Sequence, residues 1–72
     1  MKDPLLYVIH IQESLKKILI YTRDGRDAFM ADPKTQDAVV RNFEVIGEAA
    51  KRLPSEFTTL YPQVPWRRMA GF

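Results

Sequence analysis

The only histidine of the 72-residue sequence, His10, is the first residue to consider as a catalytic group. An imidazole can move a proton near neutral pH when a carboxylate orients it. His10 lies in an apolar segment, and Glu13 is the only acidic residue three or four positions away from it. A solitary histidine near one glutamate is more often a surface or half-buried packing residue than a general base. We therefore expect no catalytic role for His10.

A second set of polar side chains recurs at helical spacing midway along the sequence. Asp37 and Arg41, and likewise Glu48 and Arg52, stand four residues apart, so each pair could form an ion pair on a solvated helix face. Asn42 differs because it falls beside the apolar positions of the same segment, where a buried amide must be hydrogen-bonded. Asn42 is therefore a candidate for a buried polar contact or for the lining of a cleft.

A third group places an aromatic ring next to two cations, as Trp66, Arg67 and Arg68. Such residues could stack on a base and pair with a phosphate. A core tryptophan beside two solvated arginines gives the same three residues and is the commoner arrangement. Both interpretations stay open, and the three residues are candidate nucleic-acid contacts.

The composition limits the chemistry that these residues could support. The absence of cysteine excludes disulfides, thiolate nucleophiles and zinc sites with sulfur ligands. The sequence has no glycine-rich phosphate loop, no His-x-x-x-His pair and no nucleophile with a partnered base. A net charge of +2 is too small to indicate nucleic-acid binding without a basic cluster. We expect no metal, no cofactor and no self-contained enzyme.

The chain length leaves room for one modest hydrophobic core. With 46% hydrophobic and 28% charged residues, the composition is that of a folded globular protein. Polar residues interrupt the first apolar stretch, which therefore predicts neither a signal peptide nor a membrane-spanning helix; they are His10, Gln12, Glu13, Lys16 and Lys17. We expect one domain over residues 1–72, located in the cytoplasm and without membrane contact.

Two Asp-Pro pairs mark the starts of two long helices. In Asp3-Pro4 and in Asp32-Pro33, a capping side chain precedes a proline at the first helical position. The first helix should end near Thr22, and its wide apolar stripe indicates more than one packing neighbour. That stripe contains Leu5, Val8, Ile9, Ile11, Leu15, Ile18 and Leu19.

The second helix should continue to Leu53-Pro54, and its apolar residues recur with the alternating spacing that suits an antiparallel bundle. They are Val39, Phe43, Ile46, Ala50 and Leu53, broadened by Val40, Val45 and Ala49. Gly47 interrupts the helix and is expected to allow close packing of another backbone.

Shorter elements fill the remaining sequence. A turn and a short helical segment over residues 24–30 should fold Phe29 and Met30 onto the core. Ser55 with Glu56 should cap a short helix through Leu60. A final helix should begin at Pro65, contain Trp66 to Ala70 and bring Phe72 to the core. The predicted fold is all-α, an antiparallel bundle with two long and one or two short helices.

Two segments resemble a known protein family in residue identity as well as in the spacing of their apolar residues. Residues 34–51 read KTQDAVVRNFEVIGEAAK and residues 64–72 read VPWRRMAGF, with Leu53-Pro54 and Tyr61-Pro62 between them. Together they resemble the signature helix and following segment of HepT-like HEPN proteins. The resemblance implies an incomplete HEPN bundle, because the family domain continues past this glycine into an Arg-x4-His-x-Tyr motif on the next helix, which the 72 residues lack.

The resemblance also implies a function. HepT-like proteins are toxins of toxin–antitoxin pairs and metal-independent RNases, in which the motif arginine and histidine cleave RNA. The partner is a minimal nucleotidyltransferase antitoxin that attaches AMP to the motif tyrosine. His10 matches no position of that motif, and only Asn42 and Glu48 are carried over, as polar lining of the cleft. We expect residues 1–72 to be the N-terminal portion of such a toxin and to lack RNase activity.

Two other classes of function remain open. The chain could be a non-catalytic interaction module that binds the antitoxin or another copy, because two amphipathic helices without a closing helix leave an apolar groove. This predicts a homodimer or higher oligomer. A helical scaffold that contacts nucleic acid through Trp66, Arg67 and Arg68 would instead show salt-sensitive RNA binding.

Overall fold

The computed structural model describes residues 3–71, which form five helices and no strand. The all-α prediction is confirmed, and the two longest helices are the two that the Asp-Pro pairs predicted. The elements are α1 (Pro4–Tyr21), α2 (Arg26–Met30), α3 (Pro33–Arg52), α4 (Ser55–Thr58) and α5 (Trp66–Ala70).

Both Asp-Pro pairs cap a long helix as predicted. The Asp3 carboxylate accepts from the Leu5 amide at 3.0 Å. Asp32 accepts from the Lys34 and Thr35 amides at 3.1 and 3.4 Å, and the Thr35 hydroxyl donates to its second oxygen at 2.7 Å. The free amides of each first turn thus gain an acceptor, and proline removes one further donor that would lack a partner.

The core lies between α1 and α3, which run antiparallel. Tyr7 and His10 near the start of α1 lie beside Val45 and Ala49 towards the end of α3. The buried cluster contains Ile11, Ile46, Ala49 and Leu53. Every α3 residue of this cluster belongs to the apolar positions predicted from the sequence, so the helical periodicity identified the face that α3 buries.

Helix α1 carries two stripes, of which one is buried and one is open. The stripe that faces the core contains Tyr7, Ile11, Ser14 and Ile18. Leu15 and Leu19 lie about a quarter of a turn round the helix and are 45% and 70% exposed. The sequence pattern could not tell the buried stripe from the exposed one, because the residues of both stripes recur every three or four positions.

Helix α3 carries apolar residues on the matching face. Helical geometry puts Val40 and Phe43 on the same side of the α1–α3 pair as Leu15 and Leu19. Val40 is exposed and Phe43 is partly exposed. We call this surface, made of these four residues, the apolar side.

The short elements match the sequence predictions in part. Gly25 has a φ of 92°, which glycine adopts without strain, and it begins α2. Phe29 is half-buried as expected, but the prediction that Met30 folds onto the core is wrong, since its side chain is 62% exposed.

The predicted boundaries of α4 are wrong at both ends. The helix ends at Thr58 rather than Leu60, because the chain tightens into turns in which the Leu60 and Tyr61 amides donate to Phe57 and Thr58. Ser55 is the first helical residue, and the hydroxyl makes no capping bond to the backbone. The preceding residue Pro54 occupies the cap position instead.

Helix α5 packs against α3 and begins at Trp66, one residue after the predicted start at Pro65, which occupies the cap position. Trp66 and Met69 lie against the core cluster, and the Trp66 indole donates to the carbonyl of Tyr61 at 3.1 Å. Gly47 is buried on α3, and the close packing of another backbone against it stays a prediction. The predicted core contact of Phe72 lies outside the described residues.

Candidate functional site

A cleft of about 360 Å³ lies between α1 and α3, on the side opposite the apolar side. Six polar side chains reach it from the two helices, and two small apolar residues form its floor. We call it the polar cleft. Its lining is Tyr7, His10, Arg41, Glu44, Val45, Glu48, Ala49 and Arg52.

Helical spacing explains why these residues meet. On α3, Arg41, Glu44, Glu48 and Arg52 follow one another at intervals of three or four residues, so they lie along one face. Tyr7 and His10, three residues apart on α1, approach that face because the two helices are antiparallel. The cleft is therefore a product of pairing between helices.

The charges of the polar cleft are only partly neutralised within the chain. The Glu48 carboxylate lies 3.8 Å from the Lys51 ammonium and 4.0 Å from the Arg52 guanidinium, and all three side chains are well exposed. Exposed pairs at this distance contribute little to stability. The Glu48–Arg52 pair is thus present, whereas the predicted Asp37–Arg41 pair does not form among residues 3–71.

Four side chains of the polar cleft have no polar partner within residues 3–71. The Tyr7 hydroxyl, His10 imidazole, Arg41 guanidinium and Glu44 carboxylate make no hydrogen bond or ion pair there. They therefore present an aromatic hydroxyl, an imidazole, a cation and an anion to whatever occupies the cleft. A guanidinium can bind a phosphate, while a carboxylate accepts hydrogen bonds from hydroxyl and amino groups.

Of the two cleft residues carried over from the family resemblance, the structure places one in the polar cleft. Glu48 lines it. Asn42 is buried instead, and its amide donates to the carbonyl of Ala38 at 2.8 Å. Asn42 thus makes a buried polar contact within its own helix.

The three candidate nucleic-acid contacts lie apart from the polar cleft. Trp66 is half-buried, and its ring lies edge-on to Phe57 with centroids 6.3 Å apart. Arg67 and Arg68 are exposed in the last turn of α5. This geometry fits the interpretation of a packed tryptophan beside two solvated arginines.

Sequence reasoning missed five residues of the polar cleft because it judged each helix separately. Glu13 is the only acidic neighbour of His10 on α1, whereas the charged residues beside it in the cleft come from α3. The repeated spacing of charged residues on α3, combined with the antiparallel pairing, could have identified them. The missed residues are Tyr7, His10, Arg41, Glu44 and Arg52.

Residues 3–71 show neither a metal-binding group nor a membrane span. Three or more His, Asp or Glu side chains do not gather anywhere in this range in a way that could hold a metal ion. None of its helices is both long enough and apolar enough to cross a membrane.

Known proteins match the chain over nearly its whole length. A protein of Methanocaldococcus jannaschii, named as a candidate RNase, is 50% identical over 70 residues, which cover 96% of this chain and 58% of that protein. A candidate ribonuclease HepT of Thermococcus cleftensis is 45% identical over 89% of this chain and 59% of its own length. A candidate RNase of Caldanaerobacter subterraneus is 38% identical over 99% of this chain and 64% of its own length.

The chain spans about three fifths of the length of these relatives. No solved structure shows a significant match to it. The family model described as ribonuclease HepT-like matches residues 11–72, which include α3, α5 and most of α1. This chain belongs to the HepT-like ribonuclease family.

Proposed function

We propose that the chain acts within a metal-independent RNase toxin of the HepT type, as the helical framework on which the cleavage residues are placed. The match to the ribonuclease family over residues 11–72 carries this proposal. RNA is then the substrate, and a minimal nucleotidyltransferase is the antitoxin partner that the family resemblance implies. Such a pair acts in the cytoplasm.

Residues 1–72 alone do not cleave RNA under this proposal. They contain no Arg-x4-His-x-Tyr sequence, since His10 is the only histidine and no arginine precedes it. About two fifths of the length of each relative lies outside the matched region. In that region a histidine would move the 2′-hydroxyl proton and an arginine would hold the phosphate as charge develops.

A chimaera tests this proposal directly. The part of the Methanocaldococcus relative that follows its matched region would be joined after residue 72, and cleavage of a labelled RNA would be followed on a gel in the presence of EDTA. We expect the chimaera to cleave RNA and the purified 72-residue chain to give no cleavage above a vector-only preparation. Cleavage by the 72-residue chain, or an inactive chimaera beside an active intact relative, would contradict the proposal.

The exposed residues of the apolar side, Leu15, Leu19 and Val40, support a second candidate function, that of an interaction module which binds another copy. The chain exposes 5712 Å² of surface, whereas a folded monomer of 8.4 kDa exposes about 4,600 Å². This surplus of about 1,100 Å² belongs to the whole elongated chain, and it is larger than the roughly 800 Å² that each partner buries in a standard interface. We therefore propose a homodimer or higher oligomer that covers the apolar side.

A further inference from the structure

We propose that the polar cleft between α1 and α3 is a binding site for a short stretch of single-stranded RNA. In this assignment Arg41 and Arg52 bind two non-adjacent phosphates of the strand, Tyr7 and His10 contact a base, and Glu44 accepts a hydrogen bond from the RNA. The inference deepens the proposed RNase function and rests on it, because it names where the substrate strand lies.

The convergence of unpartnered groups is the first support. Tyr7, His10, Arg41 and Glu44 come from two helices and have no polar partner within residues 3–71, yet they share one cleft. Its volume of about 360 Å³ lies at the lower end of the range of small-ligand sites in proteins. The packing of α1 against α3 brings an aromatic hydroxyl and an imidazole beside the charged face of α3, so the cleft combines groups that neither helix carries alone.

The spacing of the charges favours a strand over a free phosphate or a single nucleotide. Arg41 and Arg52 are eleven residues apart on α3, which corresponds to about 16 Å along the helix axis. One phosphate cannot bind both guanidinium groups, but a strand that follows the cleft can place a phosphate at each end. Arg52 is available for this because its contact with Glu48 is long and exposed.

The two carboxylates between the arginines favour RNA over DNA. Glu44 and Glu48 repel phosphates from the middle of the cleft, so the sugar or the base must lie there. A carboxylate accepts a hydrogen bond from a 2′-hydroxyl, which DNA lacks, or from the amino group of a base. On the opposite wall the exposed His10 ring can stack on an unpaired base, while the Tyr7 ring packs against the core and its hydroxyl can hydrogen-bond the base.

The position of the polar cleft keeps it accessible in an assembly. Helical geometry places it on the side of the α1–α3 pair opposite Leu15, Leu19, Val40 and Phe43. Further helices or a second copy that cover the apolar side therefore leave the cleft open. An RNA strand could bind there while the residues that cut it are held by other helices.

Equilibrium binding of a labelled oligonucleotide tests the inference. Fluorescence anisotropy of a 12-nucleotide unstructured RNA, and of DNA with the same sequence, would be measured with the 72-residue chain at several salt concentrations. We expect the RNA to bind more tightly than the DNA. Arg41→Gln should weaken RNA binding about tenfold and lower the salt slope by about 0.7, as the loss of one phosphate contact predicts.

Matched variants separate this site from other basic surfaces. Arg23→Gln removes the same charge outside the polar cleft and should change the affinity less than twofold. Glu44→Gln should reduce the preference for RNA over DNA, and His10→Ala should weaken RNA binding. A double variant, Arg67→Gln with Arg68→Gln, tests the alternative contact on α5. Circular dichroism would establish that each variant remains helical.

Two outcomes would overturn the inference. One is an absence of RNA binding by the unmodified chain, and the other is equal loss of affinity in Arg41→Gln and Arg23→Gln. Neither outcome bears on cleavage by the chimaera, which tests the proposed function separately. An inactive chimaera with intact, Arg41-dependent RNA binding would overturn the RNase proposal and leave the cleft assignment standing.

Discussion

Asp32 begins α3 through three hydrogen bonds that its carboxylate accepts, two from backbone amides and one from the Thr35 hydroxyl. These bonds favour the ionised form, and the bond from the Thr35 side chain is the largest cause of a pKa below the ordinary value of 3.8. Because the pKa is lower in the folded state, Asp32 stabilises the fold above the unfolded-state pKa. That stabilisation is lost as the pH falls through the folded-state pKa.

Replacement of Asp32 should therefore lower stability in a pH-dependent way. At pH 7 we expect Asp32→Ala to reduce the midpoint of thermal unfolding by roughly 5 °C, because the first turn of α3 loses its cap. Asp32→Asn is the matched control, since it keeps a capping oxygen but cannot ionise. Thermal melts followed by circular dichroism from pH 7 to pH 2 should show the chain and Asp32→Asn converging below about pH 3.8. A gap that widened towards acid pH would contradict this assignment.

At the scale of elements, α2 depends on α3 for its stability. A helix of five residues is too short to persist alone in water. The Gln36 side-chain amide, in the first turns of α3, donates to the carbonyls of Phe29 at 2.9 Å and Met30 at 3.1 Å. These bonds satisfy two acceptors at the end of α2 and fix its orientation relative to α3.

Gln36→Ala should release α2 without unfolding the α1–α3 pair. We expect amide hydrogen exchange in residues 26–31 to become faster and the free energy of unfolding to fall by about 1 kcal/mol, since the part-buried Phe29 carbonyl keeps only the longer bond from the Asp32 amide, at 3.3 Å. Gln63→Ala, an exposed loop change, is the control and should leave exchange in α2 unchanged. Equal exchange in both variants would show that Gln36 does not hold α2.

Sequence patterns predicted the long helices well because the determinants are local. The Asp32-Pro33 pair and the spacing of residues such as Ile46 act within a few turns of one helix, so the start and buried face of α3 could be derived from them. The polar cleft could not, since His10 and Glu48 line one cleft only because α1 and α3 pair antiparallel. The end of α4 at Thr58 was missed because it depends on turns that the backbone makes after the helix.

At the scale of the whole molecule, the helices form an elongated body with two unlike sides. The extents are 42 × 22 × 17 Å, and the radius of gyration of 13.7 Å exceeds the value of about 11 Å for a compact chain of this length. One side of the α1–α3 pair is apolar and exposes Leu15, Leu19 and Val40, whereas the other carries the polar cleft. Such a body can bury its apolar side against a partner and leave the charged cleft in solvent.

A charge placed on the apolar side should therefore dissociate the assembly. Leu19 and Leu60 are both 70% exposed, but only Leu19 lies on the apolar side. We expect Leu19→Lys to raise the dissociation constant of the assembly at least tenfold, as measured by sedimentation equilibrium. A lysine buried at the interface would lose hydration without gaining a partner. Leu60→Lys adds the same charge elsewhere and should leave association unchanged. A folded monomer of the unmodified chain at high concentration, or equal effects of the two variants, would show that the apolar side is not the surface that associates.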